Sequence, residues 1–143
     1  MSLFTSLSVS ASGMAAQRTR AELLVENLAN AETTRTAEGG PYKRKDVVFQ
    51  SDTVTSPFSA VFQQEMQVNG VSASQVIEDT REPERRYLPG HPDADANGYV
   101  AFPRVNPAED MVDLLGSSRG FQANVAAMSA VKDMINKSID LMR

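Results

Sequence analysis

The 143-residue chain is 41% hydrophobic and 6% aromatic and has no Trp, a composition that favours one small domain with helix-on-helix burial over a large globular core. Its formal net charge of -4 argues against nucleic acid as the main partner, because such a partner requires a face of clustered Lys and Arg. The absence of Cys excludes disulfides, thiol nucleophiles and thiolate metal sites.

The first thirty residues predict an amphipathic helix. Apolar residues recur at steps of three and four and their multiples, at Leu7, Ala11, Met14, Ala21, Val25 and Leu28. Arg18 is the one basic break, and Gly13 weakens the helix by about 1 kcal/mol relative to Ala. We expect the helix to stop at Asn30, which tolerates the left-handed conformation that closes helices. No basic leader precedes an apolar run, so we expect neither a cleaved secretory signal nor a membrane span.

The middle of the chain predicts a small β-rich insert. Residues 32–41 are polar or small and end in Gly-Gly-Pro, which is typical of a loop. Residues 42–49 suit a strand, residues 51–59 an irregular segment, and residues 58–66 fit strand or helix equally. A further strand is expected over residues 70–79, entered through the hairpin-type dipeptide Asn69-Gly70.

The most distinctive string runs from Tyr87 to Val100. Two prolines and Gly90 exclude regular structure, and Asn97-Gly98 is expected to turn the chain into a last strand, Tyr99–Phe102.

Basic residues cluster at two places in the insert, Lys43–Lys45 and Arg81, Arg85 and Arg86. Each cluster lies among Asp and Glu residues, so we interpret both as solvated faces.

The last stretch, from Asn106, predicts a long helix with a coiled-coil seam. From Met111 the seam comprises Leu114, Ser118, Phe121, Val125, Met128, Ile135, Ile139 and Met142, with Lys132 as its one charged member. Asn106 can cap the helix, Pro107 fits its first position, and Glu109 can complete a capping box. A helix from Pro107 to Met142 is about 54 Å long, more than this domain can cover, so the seam requires a partner.

The predicted architecture is therefore α+β: an N-terminal helix (1–31), a β-rich insert (32–105) and a C-terminal helix (106–143). We expect the two helices to form a coiled-coil-like core by pairing with each other and with other copies. Without partners, the ordering entropy outweighs the burial, so we expect both terminal regions to be loosely ordered in the free chain.

The loop around His91 is the one candidate metal site. Asp93-x-Asp95-x-Asn97-Gly98 matches the opening of a calcium loop, but the twelfth position is Arg104 where a bidentate Glu is required. We favour a rigid turn in which the aspartates accept local backbone hydrogen bonds. His91 is the only histidine and is expected to be an exposed loop residue. No phosphate loop or triad can be assembled, so we expect no catalysis, cofactor or metal; a metal-dependent enzyme at this loop is the least favoured hypothesis.

Four polar residues on the helices have two interpretations each. Asn27 and Asn30 either mark a helix end or hydrogen-bond across to another helix or subunit. Arg18 and Lys132 either pack the aliphatic part of their side chains along the seam and keep their charged groups in solvent, or fix the register by pairing with acidic residues of a neighbour.

Several motifs carry a family resemblance. Residues 12–18 (SGMAAQR) and 27–33 (NLANAET) resemble the N-terminal signature of the bacterial flagellar axial proteins, which form rod, hook and hook-associated structures. Other strings resemble the proximal rod members, at Tyr42–Lys45, Tyr87–Asp95, Gly98–Val100, Pro103–Asn106 and Ser118–Asn124. Two departures are Arg104, where Asn is usual, and Phe121, where Tyr is usual.

The resemblance implies a structural subunit of the flagellar basal-body rod, which crosses the periplasm and transmits torque. It also implies export through the flagellar type III apparatus with an uncleaved signal, and assembly with other copies and other rod proteins. The predicted assembly interface comprises Leu7, Met14, Ala21, Val25, Asn27, Leu28, Asn30, Leu114, Arg119, Phe121, Asn124, Val125, Met128, Ile135 and Ile139. The alternative is a soluble helical binding module or a flagellar export adaptor.

Overall fold

The computed structural model describes residues 3–53 and 69–141. Its elements are α1 (Leu3–Ala29), β1 (Lys45–Thr53), β2 (Asn69–Glu78), β3 (Glu84–Tyr87), β4 (Tyr99–Phe102) and α2 (Pro107–Leu141). The predicted α+β architecture of two long terminal helices around a small β-rich insert is confirmed. The ambiguous segment at 58–66 and seam residue Met142 lie outside the described residues.

The two helices pack against each other in antiparallel orientation. A Cβ atom added to Gly13 would lie 3.0 Å from Asn124 Nδ2, and one added to Gly120 would lie 3.2 Å from Gln17 Cδ. Because positions later in α1 meet positions earlier in α2, the chain directions oppose. The two glycines therefore let the helices approach closely, and α1 runs unbroken through Gly13 despite its low helix propensity.

The helix ends form partly as expected. The backbone amide of Ala108 donates to Asn106 Oδ1 at 3.2 Å, so the predicted cap is confirmed. The Glu109 side chain makes no hydrogen bond within the described part of the chain, so the expected capping box is not formed. α1 ends as predicted just before Asn30, but without a left-handed residue. Instead, Asn30 donates from Nδ2 to the Glu26 carbonyl at 2.9 Å and satisfies a terminal backbone group with its side chain.

The first sheet pairs β1 with β2 in antiparallel register, from Lys45 opposite Glu78 to Thr53 opposite Asn69, with a bulge between Val48 and Phe49. β1 begins three residues later than predicted and extends into the stretch expected to be irregular. The prediction of a hairpin turn at Asn69-Gly70 is wrong, because both residues pair with β1 and the strands are joined through residues 54–68.

The second sheet pairs β3 with β4, from Glu84 opposite Phe102 to Tyr87 opposite Tyr99. β4 was predicted, whereas β3 was not, since its exposed Glu-Arg-Arg-Tyr sequence lacks an apolar alternation. The loop between them is irregular as expected. Gly98 has a φ of 80°, and an added Cβ would lie 2.9 Å from the Tyr87 ring, so this turn requires glycine.

The buried set is small, and part of it lies where the two helices meet the start of β1. Its apolar members are Ala16, Leu24, Tyr42, Val100 and Val131, and its polar members are Asn27, Asp110 and Ser117. Polar residues thus take a large share of the buried positions in the described chain, and hydrogen bonding rather than apolar volume defines the junction.

Candidate assembly interface

The apolar seam of α2 does not face α1. The side of α2 that contacts α1 carries Gly120 and Asn124 together with buried Ser117. At roughly 100° per residue, the predicted seam through Leu114, Phe121 and Val125 lies about a quarter turn away from that side. Small and polar residues therefore make much of the contact within the chain, together with buried Val131 two turns after Asn124, and the seam remains beside it.

The row of apolar residues along α1, its apolar stripe, is turned away from α2 in the same way. Gly13 and Gln17 face α2, whereas Met14, Ala21 and Val25 lie about a quarter turn further round. Because both helices are right-handed and run antiparallel, a quarter turn in the same sense brings both stripes to one side of the pair. We call this side the apolar face; it comprises Leu7, Met14, Ala21, Val25, Leu28, Leu114, Phe121, Val125, Met128 and Ile139.

The first sheet covers the opposite side of α1. Ser12 accepts a hydrogen bond at its Oγ from the Val71 amide at 3.1 Å, and Leu23 lines a cleft together with Val47 and Phe49. Ser12 and Leu23 lie about half a turn from the α1 stripe. The described strands of the insert therefore leave the apolar face open.

Side chains of the apolar face are exposed or half-buried in the single chain. Val25 is 52% exposed, Phe121 39%, Val125 42% and Ile139 55%. Half-buried members are Leu7, Met14, Ala21, Leu28, Leu114 and Met128. A row of this length without cover is typical of an interaction surface.

The other residues of the predicted interface lie elsewhere. Asn124 faces α1, Asn30 closes α1, and Ile135 lies half-buried near the end of α2. Arg119 is exposed on the side of α2 away from α1. Asn27 is fully buried.

Asn27 ties the end of α1 to the start of β1. Its Oδ1 accepts from the Tyr42 hydroxyl and from the Lys45 amide, each at 2.9 Å, and its Nδ2 donates to the Lys45 carbonyl at 2.8 Å. Asn27 thus hydrogen-bonds across the fold, but to the insert and not to another helix. Burial, followed by the nearby Glu26, Glu78 and Asp110 carboxylates, raises the pKa of Tyr42 to about 12.

A buried ion pair ties the insert to α2. Arg44 Nη2 lies 2.8 Å from Asp110 Oδ1, and the Asp110 side chain is only 1% exposed. Burial raises the pKa of Asp110 above its ordinary value and outweighs the opposing effect of the Arg44 guanidinium. Arg44 Nε and Asp110 Oδ2 have no hydrogen-bond partner among the described residues. The interpretation of Lys43–Lys45 as a solvated face is therefore wrong for Arg44, which is drawn inward by a buried acid.

The remaining charges behave mainly as surface groups. Arg81 and Asp79 pair at 2.6 Å, and hydrogen bonds from the Arg81 side chain and backbone lower the pKa of Asp79 to about 2. Arg18 pairs with Glu22 of its own helix and is 75% exposed, while Lys132 is exposed without an ion pair within the described residues.

The loop after β3 is fastened by side chains. Asp95 Oδ1 accepts from the amides of Asn97 and Tyr99 at 2.8 and 2.9 Å, as the rigid-turn interpretation predicts. Asp93 differs from that prediction, because it accepts from Thr34 Oγ1 at 2.8 Å and so anchors the loop after α1. His91 is half-buried rather than exposed, with its Nδ1 accepting from the Asp93 amide. Within residues 3–53 and 69–141, no group of three or more His, Asp or Glu is placed to hold a metal.

Sequence reasoning missed the three residues that organise the junction: Tyr42, Arg44 and Asp110. Tyr42 and Arg44 occur in one of the motifs that carry the family resemblance, but nothing local marks them as buried. Asp110 resembles an ordinary acidic residue in a first helical turn. Its burial depends on Arg44, 66 positions earlier in the chain.

Comparison with known proteins gives consistent matches. Residues 96–141 match the family described as flagellar basal body rod FlgEFG protein C-terminal. A Bacillus subtilis protein named flagellar basal-body rod protein FlgC is 42% identical over 99% of both chains. The protein of the same name from Salmonella typhimurium is 38% identical over 99% of this chain and 98% of its own. The one from Borreliella burgdorferi is 32% identical over 100% of this chain and 99% of its own. No helix in the described ranges is long and apolar enough to cross a membrane.

Proposed function

Since the chain belongs to the FlgC family of flagellar basal-body rod proteins, we propose that its apolar face is the surface through which it assembles into the proximal rod. The observation that carries this proposal is the position of the two stripes on one open side of the helix pair. The subunit is a structural component of the basal body, and swimming motility depends on it.

Neighbouring subunits cover the apolar face during assembly. Its partners are other copies of the chain and other rod proteins, arranged helically around the rod axis. Each Leu, Ile, Met, Phe or Val side chain that becomes fully buried contributes about 1.5 to 3 kcal/mol to the free energy of association. The apolar face presents such side chains along both helices. The stiffness that torque transmission requires then comes from many interlocked helices.

The chain leaves the cytoplasm through the flagellar type III apparatus, without cleavage of a signal peptide, and reaches the part of the rod that crosses the periplasm. Two properties of the subunit suit this route. The described core is small, so unfolding for passage requires little free energy, and Phe4 and Leu141, near the outer ends of the two helices, are 75% and 89% exposed. We expect these ends to be ordered by assembly.

A charge on the apolar face tests the proposal. Val125→Asp places an unpaired carboxylate in the proposed interface and costs several kcal/mol per subunit when buried. Ala126→Asp is the matched control, because Ala126 is the next residue, is exposed, and points about 100° away. In a strain lacking the native chain, we expect the first variant to be exported but to build no rod, and the control to restore swimming.

The same preparations separate the alternative. A soluble binding module or export adaptor is absent from washed basal bodies, whereas a rod subunit is retained in them. Equal swimming by both variants, with both chains exported, would refute assembly through this face.

A further inference from the structure

His91 lies beside two groups of the same residue, the backbone amide and the side-chain carboxylate of Asp93. The amide donates a hydrogen bond to His91 Nδ1, and the two nitrogens are 3.1 Å apart. Asp93 Oδ2 lies 4.0 Å from the same ring nitrogen, which is beyond hydrogen-bond distance. Because Nδ1 accepts a hydrogen bond, it carries no proton, and the neutral ring holds its proton on Nε2. The observed geometry therefore belongs to uncharged histidine.

The Asp93 carboxylate ties two loops together. Its Oδ2 accepts from Thr34 Oγ1 at 2.8 Å, and its Oδ1 lies 3.8 Å from Arg35 Nη1. Thr34 and Arg35 belong to the loop between α1 and β1, whereas Asp93 belongs to the loop between β3 and β4. The Arg35 side chain is 78% exposed, so its ion pair contributes little. The Thr34 bond is therefore the main link between the two loops at this point.

The groups around His91 leave the Asp93 carboxylate as its nearest charged acceptor. On β4, the Phe102 ring meets the imidazole edge to face, with centroids 6.3 Å apart. On β3, Arg86 lies over that Phe102 ring and pairs with Glu84. The charged groups of the surrounding elements are Asp93, Arg35, Arg86, Glu84 and Glu32. Within residues 3–53 and 69–141, only Asp93 has a carboxylate oxygen within 4.0 Å of a His91 nitrogen.

Protonation of His91 is incompatible with the observed hydrogen bond. An imidazolium ring carries a proton on both nitrogens, so Nδ1 becomes a donor and faces the Asp93 amide, which is also a donor. The nearest charged acceptor is Asp93 Oδ2, and a shift of about 1 Å brings Nδ1 to the distance of a charge-assisted hydrogen bond. The His91 side chain is 32% exposed, so a proton reaches it from solvent without unfolding of the loop.

We propose that His91 is a pH-sensitive switch: on protonation, its Nδ1 releases the Asp93 amide and donates to the Asp93 carboxylate, which weakens the Thr34 bond between the two loops. The imidazolium is a charged donor and the Thr34 hydroxyl a neutral one, so the imidazolium binds the shared oxygen more strongly. The second sheet is then held less firmly to the segment that follows α1. This inference goes beyond the proposed function, because neither the apolar face nor assembly enters it.

NMR spectroscopy of the full isotope-labelled chain tests the switch, because His91 is the only histidine and its ring signals are unambiguous. Histidine is the side-chain type that ordinarily changes charge between about pH 5 and 8. Across this range we expect the protection of the Asp93 amide against hydrogen exchange to fall severalfold as the pH is lowered. The Thr34 signals should shift with the same midpoint as the His91 ring. At about pH 8, the ring-nitrogen signals should show the proton on Nε2.

His91→Asn is the matched control. The Asn side-chain oxygen can accept from the amide two residues further on, as in an Asx turn, and the side chain has no titratable group. In this variant, the protection of the Asp93 amide and the Thr34 signals should stay constant across the same pH range. An equal response in His91→Asn and in the native chain would assign the change to another group and overturn the proposal.

Three results with the native chain alone would also overturn the switch. They are a His91 ring that titrates without any response at Asp93 and Thr34, a ring that stays uncharged down to about pH 5, and a proton on Nδ1 at about pH 8. These measurements do not depend on the folding of a variant. None of them bears on incorporation into basal bodies, so failure of the switch would leave the rod function standing.

Discussion

Replacing Asn27 with Ala should be among the most damaging single changes in this chain. Asn27 is 0% exposed and makes three hydrogen bonds, to the Tyr42 hydroxyl and to both backbone groups of Lys45. Its loss leaves those partners buried without bonds, at about 1 to 3 kcal/mol each. Some relaxation is expected, so we predict a loss of about 4 kcal/mol in the free energy of unfolding. Urea denaturation of the full chain, followed by circular dichroism, measures it.

Two companion variants isolate the cause. Tyr42→Phe removes one of the three bonds and should cost about 1 kcal/mol in wild type and nearly nothing once Asn27 is Ala. Asn30→Ala, at a half-buried position of the same helix end, should cost about 1 kcal/mol or less. If Asn27→Ala costs no more than Asn30→Ala, the network does not hold α1 to the insert.

Three further changes probe helix packing and the buried ionisable groups. Gly116→Ala should stabilise the chain by about 1 kcal/mol, because an added Cβ there meets nothing within 4 Å. Gly13→Ala should not show this gain, because its Cβ crowds α2; the urea midpoints of the two variants should therefore differ. The pKa of Tyr42 is about 12 in the folded chain against an ordinary value of 10.0, so its contribution to the free energy of unfolding is complete below pH 10. About 2 to 3 kcal/mol of that free energy should be lost as the pH rises to 12. Urea midpoints of Tyr42→Phe measured across this range should not show the loss. Asp110→Asn should cost about 3 kcal/mol by leaving Arg44 without its buried partner, and Arg44→Met/Asp110→Leu should cost less than the single change; equal losses in urea would contradict a buried charge penalty.

Patterns that act along one helix were predictable from the sequence. The Asn106 cap, the first-turn Pro107 and the three-four spacing of apolar residues all depend on neighbours within a few positions. They predicted the bounds of α1 and α2 to within about two residues. The rigid turn at Asp95 was predictable for the same reason, because its bonds reach only two and four residues ahead.

Features that depend on distant residues were not predictable. The pairing of Arg44 with Asp110 spans 66 positions, and the bond from Thr34 to Asp93 spans 59. The spacing of the stripes shows that each helix has an apolar side, but not which side meets the other helix. The contacting side of α2 carries Gly120 and Asn124 beside the buried Val131, and the spacing of apolar residues gives no sign that a glycine or an asparagine belongs to the contact.

A density map of intact basal bodies at side-chain resolution tests most directly whether neighbouring subunits cover the apolar face. We predict that Val25, Phe121 and Val125 lie in van der Waals contact with side chains of adjacent subunits, and that the insert lies on the far side of α1. Subunits that meet mainly through the insert, with these three residues still open to solvent, would contradict assembly through the helix pair.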